Sequence, residues 1–123
     1  MTRRKGFTIV ELMVSIIVIV ILASIVAFAF GSWRSSSART ELKNDLTSAA
    51  AKLKDYKTWN NGYPPDSATF TAVYQPSGQL MMTYALRAGG GSYCLNATST
   101  AVSTVQYYID SNISPTPTAG TCS

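Results

Sequence analysis

The chain has 123 residues, of which 46% are hydrophobic and 13% are charged, and its formal net charge is +4. It contains no histidine, two cysteines and six acidic residues, so the side chains that form most catalytic and metal sites are scarce. Three of the ten basic residues lie at positions 3–5, and the remaining seven nearly balance the six acids. This distribution argues against a dominant nucleic-acid-binding surface.

The longest apolar segment covers residues 7–30 and is diluted only by Thr8, Glu11, Ser15, Ser24 and several alanines. As a helix it would be about 36 Å long, which is enough to cross a hydrocarbon core of about 30 Å. A segment that faces lipid must satisfy its backbone hydrogen bonds internally. The composition therefore predicts a membrane-spanning helix.

Glu11 is the only charged side chain in this segment. A charge at the centre of a bilayer costs about 2–3 kcal/mol and tends to be functional. However, Glu11 is only about 6 Å of helix away from Phe7, so it could also lie among the headgroups, where the cost is small. Charge alone leaves both interpretations open, and the neighbouring residues have to decide between them.

Residues 3–5 are Arg-Arg-Lys, and Gly6 is followed by Phe-Thr-Ile-Val-Glu-Leu at residues 7–12. A short basic leader followed by this pattern resembles the type III signal of type IV pilins and of type II secretion pseudopilins. In that family a membrane prepilin peptidase cuts after the glycine and methylates the new amino terminus. The resemblance implies cleavage between Gly6 and Phe7 and N-methylation of Phe7.

The same resemblance implies a role for Glu11 in assembly. In this family the glutamate is thought to pair with the cationic terminal amine of a neighbouring subunit, which here would be the amine of Phe7. Buried unpaired charges are costly, so joining the two during assembly would select one axial register. The implied product is a homo-oligomeric helical filament, built with an assembly platform and minor pilins.

The basic leader also predicts the orientation, because basic residues stay on the cytoplasmic side of a first membrane span. The subunit would then lie in the inner membrane before it joins a filament at the cell surface. A competing signal is Ala-Phe-Ala at residues 27–29, which an ordinary signal peptidase could cut to release a domain beginning at Phe30. The apolar segment is far longer than the usual h-region of roughly 7–15 residues, and that alternative leaves the pattern around Gly6 unexplained.

Beyond Gly31 apolar residues recur at steps of three and four. They are Ala38, Leu42, Leu46, Ala49, Leu53 and Tyr56. This spacing predicts an amphipathic helix, and no proline interrupts residues 7–57, so one helix can include both segments. The charged residues of the stretch are assigned to a solvated or subunit-facing surface: Arg39, Glu41, Lys43, Asp45, Lys52 and Lys54.

A turn is predicted directly after this helix. Asn61-Gly62 favours a left-handed turn and the prolines at positions 64 and 65 cannot continue a helix. Trp59 and Tyr63 are expected to pack beneath the turn.

Three segments have the pattern of strands, at residues 80–87, 92–98 and 105–110, and three glycines join the first two as a hairpin. Alternation in the first segment gives one face that can cover the amphipathic helix: Leu80, Met82, Tyr84 and Leu86. Residues 66–76 are predicted as a connector with a short strand or helical turn, and residues 112–123 as turn-rich with little regular structure. The predicted fold class is α+β, a long amino-terminal helix packed on a small antiparallel sheet, as in type IV pilins.

Cys94 and Cys122 lie in the region predicted to be external, where a disulfide can persist. They allow one intrachain pairing, which would contribute about 3–4 kcal/mol to stability; two free thiols or an intermolecular bond are the alternatives. In the pilin family a disulfide-closed loop near the carboxyl terminus is often exposed and variable, and this region resembles it.

The chain is thus expected to divide into a leader (1–6), a membrane and filament-core helix (7–30), an amphipathic half-helix (31–58) and a sheet domain with a disulfide loop (59–123). The leading interpretation is a pilus subunit that serves adhesion, motility or DNA uptake; a type II secretion pseudopilin and a non-assembling membrane-anchored or secreted binding domain are the alternatives. No catalytic residue and no cofactor is predicted, and contact with nucleic acid is left open.

Some major pseudopilins bind calcium in the carboxy-terminal loop, so a metal site has to be considered. In this chain only Asp110, with Asp66 far away in sequence, offers a carboxylate near that loop. No metal is therefore predicted.

Overall fold

The computed structural model describes residues 5–122 and confirms the α+β class. Its elements in chain order are α1 (Ile9–Asn60), α2 (Ser67–Val73), β1 (Leu80–Leu86), β2 (Tyr93–Ser99), β3 (Gln106–Asp110) and β4 (Ser114–Ala119). The chain forms two compact units. The amino-terminal unit ends at Arg34, and the carboxy-terminal unit begins at Ser35.

The helix α1 has 52 residues and begins and ends slightly later than the sequence predicts. It includes both the apolar segment and the amphipathic stripe, as the absence of proline indicates. Gly31, a weak helix former directly after the apolar segment, lies within the helix without interrupting it.

The four strands form one sheet in the order β1-β2-β3-β4, and each neighbouring pair is antiparallel. The three predicted strands are confirmed, with boundaries that differ by about one residue at each end. The prediction that the last residues have little regular structure was wrong, because Ser114–Ala119 forms β4. Its two prolines are tolerated because β4 lies at the edge of the sheet, where a missing backbone N–H is least costly.

The core of the carboxy-terminal unit contains the predicted stripe of α1 and the inner face of the sheet. Leu42, Leu46 and Leu53 of α1 are almost fully buried, as are Leu95 of β2 and Ile109 of β3. Each such leucine or isoleucine stabilises the folded state by about 1.5–3 kcal/mol relative to an exposed position. Helix and sheet therefore bury the apolar residues that neither could bury alone.

The strand β1 alternates as predicted, with Leu80 and Tyr84 buried and the residues between them more exposed. Phe70 of α2 stacks on the ring of Tyr84, with 4.9 Å between the ring centroids. The uncertain connector is thus a short helix. Asp66 caps it by accepting a hydrogen bond of 2.7 Å from the backbone N–H of Thr69.

The turn after α1 has the predicted left-handed residue, because Asn61 has a φ of 58°. Tyr63 follows it and packs edge-on against Tyr93, with 4.8 Å between the ring centroids. Tyr84 donates a hydrogen bond of 2.8 Å to the carbonyl of Pro64, which ties the turn to β1. Burial raises the pKa of Tyr84 to about 12, so its hydroxyl remains a donor at neutral pH.

Two side chains of α1 lie where the sequence does not place them. Trp59 was expected beneath the turn but is 87% exposed, because α1 extends through this position and holds the indole on the helix surface. Asp45 was assigned to a solvated or subunit-facing surface but is buried within the carboxy-terminal unit, because the segment between α2 and β1 passes over it. Its Oδ1 accepts hydrogen bonds from the hydroxyls of Tyr74 (2.6 Å) and Ser77 (2.9 Å).

Candidate processing and assembly site

The residues around the expected cleavage position precede the first turn of α1. Gly6 and Phe7 are exposed and non-helical. Thr8 is the N-cap: its Oγ1 accepts a hydrogen bond of 3.2 Å from the N–H of Glu11, and its carbonyl accepts one of 3.1 Å from the N–H of Leu12. The peptide bond between Gly6 and Phe7 therefore lies outside the helix, where its backbone is accessible to a peptidase.

Glu11 lies in the first turn of α1, three residues after the N-cap. Thr8-Ile9-Val10-Glu11 matches the capping-box pattern, in which a threonine and a glutamate stabilise a helix start. A negative charge in this turn is also favoured by the helix dipole. The pattern of Thr8 and Glu11 that indicates this helix start is present in the sequence itself. Among residues 5–122 the Glu11 carboxylate has no hydrogen-bond or ion-pair partner.

The apolar stretch of α1 is long enough to cross a membrane, and none of it is buried within the chain. Phe28, for example, is 91% exposed. The hydroxyls of Ser15 and Ser24 donate hydrogen bonds of 2.8 Å to the carbonyls four residues earlier, so these polar groups need no outside partner. An exposed apolar surface of this extent requires lipid or another protein to cover it.

At the other end of the chain, a disulfide joins Cys94 of β2 to Cys122, with 5.9 Å between the Cα atoms. The side-chain amide of Asn96 reinforces this connection. Its Nδ2 donates a hydrogen bond of 3.2 Å to the carbonyl of Cys122, and its Oδ1 accepts one of 2.9 Å from the N–H of the same residue. The residues after β4 are thus held against β2 by a covalent bond and two hydrogen bonds.

Asp110, the acid considered for a metal site near this loop, is 1% exposed and fully engaged. Its Oδ1 accepts hydrogen bonds from the N–H groups of Asn112 (3.0 Å) and Ile113 (3.2 Å), and its Oδ2 pairs with the guanidinium of Arg87. Burial acts to raise the pKa of Asp110, but these backbone hydrogen bonds and Arg87 together hold it below the usual range. Asp66 serves instead as the cap of α2.

Comparisons with known proteins support the resemblance of the amino-terminal residues to a prepilin signal. Residues 1–27 match the family model described as the prokaryotic N-terminal methylation motif. The chain is also 36% identical over 62 residues to the type II secretion system core protein G of Pectobacterium carotovorum subsp. carotovorum. The matched segment covers 50% of this chain and 40% of that relative, so it spans less than half of the relative's length.

A methylation motif, an exposed apolar helix and a helix-on-sheet fold define the class of pilin-like proteins. The chain carries this methylation motif at its amino terminus and is similar over half of its length to a type II secretion pseudopilin.

Proposed function

We propose that the protein is a structural subunit of a type IV pilus. Prepilin peptidase would cut the precursor between Gly6 and Phe7 and methylate the amine of Phe7, and the subunit would then join a filament through α1. The observation that carries the proposal is the amino-terminal unit itself. It exposes a membrane-length apolar surface with a single carboxylate, that of Glu11, in its first turn.

Such an apolar surface can be covered either by lipid or by other protein subunits, so it can pass from a membrane into a filament. Before assembly, lipid covers the apolar face of α1; after assembly, neighbouring copies of α1 cover it. The Glu11 carboxylate and the Phe7 amine of another subunit would each be costly to bury alone, and pairing them relieves both costs. Contacts of this heterologous kind do not close into a ring and therefore propagate as a fibre.

The proposed location follows from the leader and the disulfide. The basic leader would keep the amino terminus in the cytoplasm, so the carboxy-terminal unit would be exported. The Cys94–Cys122 bond supports export, because disulfides persist in oxidising compartments. The partners we propose are the prepilin peptidase, an assembly platform, minor pilins and further copies of this chain.

The second candidate is a pseudopilin of a type II secretion system, and the similarity to the core protein G favours it. Two features of the carboxy-terminal unit favour a pilus instead. The loop closed by the Cys94–Cys122 disulfide resembles the closed loop of pilins. The charge of Asp110 is balanced by Arg87, so this carboxylate is not available to calcium. Electron microscopy of cells that express the protein at native level separates the two: long surface fibres labelled by an antibody support a pilus, and loss of secretion without such fibres supports a pseudopilus.

The role of Glu11 is tested by comparing Glu11→Gln with Glu11→Ala. Glutamine keeps the capping pattern but removes the charge, whereas alanine removes both. If the charge pairs with an amine in the filament, both variants leave that amine unpaired at a cost of about 3–5 kcal/mol per contact, and filament yield falls at least tenfold in both. The yield is measured by sedimentation of sheared filaments, with Ser15→Ala as the matched control.

Normal assembly of Glu11→Gln would show that Glu11 acts through the helix cap alone and would overturn the proposed pairing. Processing is checked in the same preparations by intact mass and amino-terminal sequencing. A chain that begins at N-methylated Phe7 supports prepilin processing. A chain from the filament or membrane fraction that begins at Phe30 or still at Met1 contradicts it.

A further inference from the structure

The Asp45 carboxylate is a buried acidic group of the carboxy-terminal unit with an oxygen that has no partner among the described residues. The residue is only 6% exposed. Its Oδ1 accepts two hydrogen bonds from Tyr74 and Ser77, but its Oδ2 has no hydrogen-bond partner in the described part of the chain. Because a buried carboxylate oxygen without a partner is unfavourable, a cation bound at this position would stabilise it.

Glu41 lies one helical turn before Asp45, so the two carboxylates are on the same face of α1. Both line a cavity of about 390 Å³ between α1 and the segment that leads to β1. Every lining residue has a side-chain oxygen: Ser37, Thr40, Glu41, Asn44, Asp45 and Ser77. Carboxylate, amide and hydroxyl oxygens are the ligands that hard cations prefer.

Gly78 follows Ser77, one of the residues that line this cavity, and lies directly against Glu41. Its φ is +83°, a conformation that disfavours any residue with a side chain. A Cβ atom at this position would also collide with Oε1 of Glu41. The absence of a side chain at Gly78 therefore lets the Glu41 carboxylate lie directly against the backbone of the segment before β1.

Within residues 5–122 no basic side chain pairs with Glu41 or Asp45. Lys43 lies over the ring of Tyr107, 5.1 Å from its centroid, and Arg39 lines a different cavity together with the same tyrosine. Within residues 5–122 the only ion pair is that of Arg87 with Asp110. The charges of Glu41 and Asp45 are thus left uncompensated by the described part of the protein.

We propose that Glu41 and Asp45 bind a hard divalent cation, Ca²⁺, which joins α1 to the segment between α2 and β1. Two carboxylates balance its charge, and the neighbouring hydroxyl and amide oxygens complete part of its coordination. Among residues 5–122 no group of three or more histidine, cysteine or acidic side chains could hold a metal, so the site relies on neutral oxygens. Such a site suits the weak range of calcium affinities, with dissociation constants of about 10⁻⁴ to 10⁻³ M.

This site differs from the calcium site near the carboxy-terminal loop, for which Asp110 and Asp66 were the candidate ligands in the sequence. Spacing along α1 could have indicated Glu41 and Asp45 as neighbours. It could not indicate that the segment carrying Ser77 and Gly78 covers them. The inference is independent of whether the subunit assembles into a pilus or a pseudopilus, because it concerns the carboxy-terminal unit alone.

The test uses the full-length protein in mild detergent and two probes, CaCl₂ and TbCl₃. Tb³⁺ replaces Ca²⁺ and luminesces when a nearby tyrosine is excited, and Tyr74 is hydrogen-bonded to Asp45. We expect saturable luminescence that Ca²⁺ abolishes by competition. We also expect Ca²⁺ at ten times its dissociation constant to raise the folding equilibrium constant by about 11-fold.

Glu41→Gln is the main variant, because Glu41 is only partly buried and its loss should not prevent folding. It should lose the luminescence and the calcium-dependent stabilisation, whereas Asp55→Asn, at an exposed acid on the same helix, should keep both. Asp45→Asn, which keeps an acceptor for Tyr74, should also lose the response. No calcium response in the natural protein, an unchanged response in Glu41→Gln, or an equal response to Mg²⁺ at the same ionic strength would each overturn the proposal.

Discussion

The two units use the same kind of residue for opposite purposes. Leu22 in the amino-terminal unit is 58% exposed, whereas Leu46 in the carboxy-terminal unit is fully buried, although both belong to α1. Burial of Leu46 stabilises this chain, because its partners are in the same unit. The surface around Leu22 can be covered only by lipid or by another protein, so its hydrophobicity serves an interaction between molecules.

The acidic residues show the same contrast. Asp110 in the carboxy-terminal unit has its charge balanced by Arg87 and by two backbone N–H groups. For Glu11 in the amino-terminal unit, no partner is present among residues 5–122. The apolar core and the charge of Asp110 are thus satisfied within the carboxy-terminal unit, whereas the apolar surface and the carboxylate of the amino-terminal unit have no partner among residues 5–122. The assembly role proposed above would use this difference.

The strongest way to break this comparison is to shorten one leucine in each unit. Leu46→Ala removes a fully buried side chain and should lower the free energy of unfolding by about 3–5 kcal/mol. Leu22→Ala should change it by less than about 0.5 kcal/mol, because this side chain is 58% exposed and lies outside the carboxy-terminal unit. Urea unfolding in detergent, followed by the near-ultraviolet circular dichroism of the tyrosines, measures both. Similar losses in the two variants would contradict the division.

Removal of the disulfide should weaken only the carboxy-terminal unit. The double variant Cys94→Ser/Cys122→Ser opens a loop with a sequence separation of 28 and should lower the free energy of unfolding by about 3–4 kcal/mol on the chain-entropy model. The hydrogen bonds of Asn96 to Cys122 remain possible in this variant, so part of the native arrangement should persist. Far-ultraviolet circular dichroism should show α1 unchanged; a loss of helix in the amino-terminal unit would argue that the units depend on each other.

The smallest expected effect concerns Asp110 and depends on pH. Asp110→Asn removes the charge paired with Arg87 and should cost about 2 kcal/mol at pH 7. Because the pKa of Asp110 is lower in the folded chain than in the unfolded chain, its contribution is present above about pH 4 and is lost as pH falls through the folded value. Unfolding of both proteins between pH 2 and pH 7 measures the difference, with Asp55→Asn as the exposed control. A difference that stays constant down to pH 2 would contradict the assignment.

Much of the fold could be predicted because its signals are local. The stripe from Ala38 to Leu53 and the alternation in β1 both follow from the periods of helix and strand, and both were confirmed. The strand β4 could not be predicted, since its prolines and threonines have no strand pattern of their own. Its pairing with β3 gives it that conformation.

Residues of the candidate site divide in the same way. Gly6, Phe7 and Glu11 were predicted from a contiguous pattern, and the capping role of Thr8 could have been found in the same residues. Arg87 and Asn96 could not have been found as partners of Asp110 and Cys122, because 23 and 26 residues separate the members of these pairs. Their contacts exist only once the strands are in register.

By itself, the sequence determined the length of α1, the apolar character of its first half, the position of the single carboxylate in that half and the motif in front of it. These properties depend on residues that are neighbours in the chain, and helix periodicity converts them directly into a surface. Tertiary structure alone decided that Asp45 is buried beneath the segment before β1 and that Arg87 balances the charge of Asp110. It also decided that β4 forms the edge strand next to β3. Those outcomes depend on contacts between distant segments, whose energies appear only after the chain has closed the loops between them.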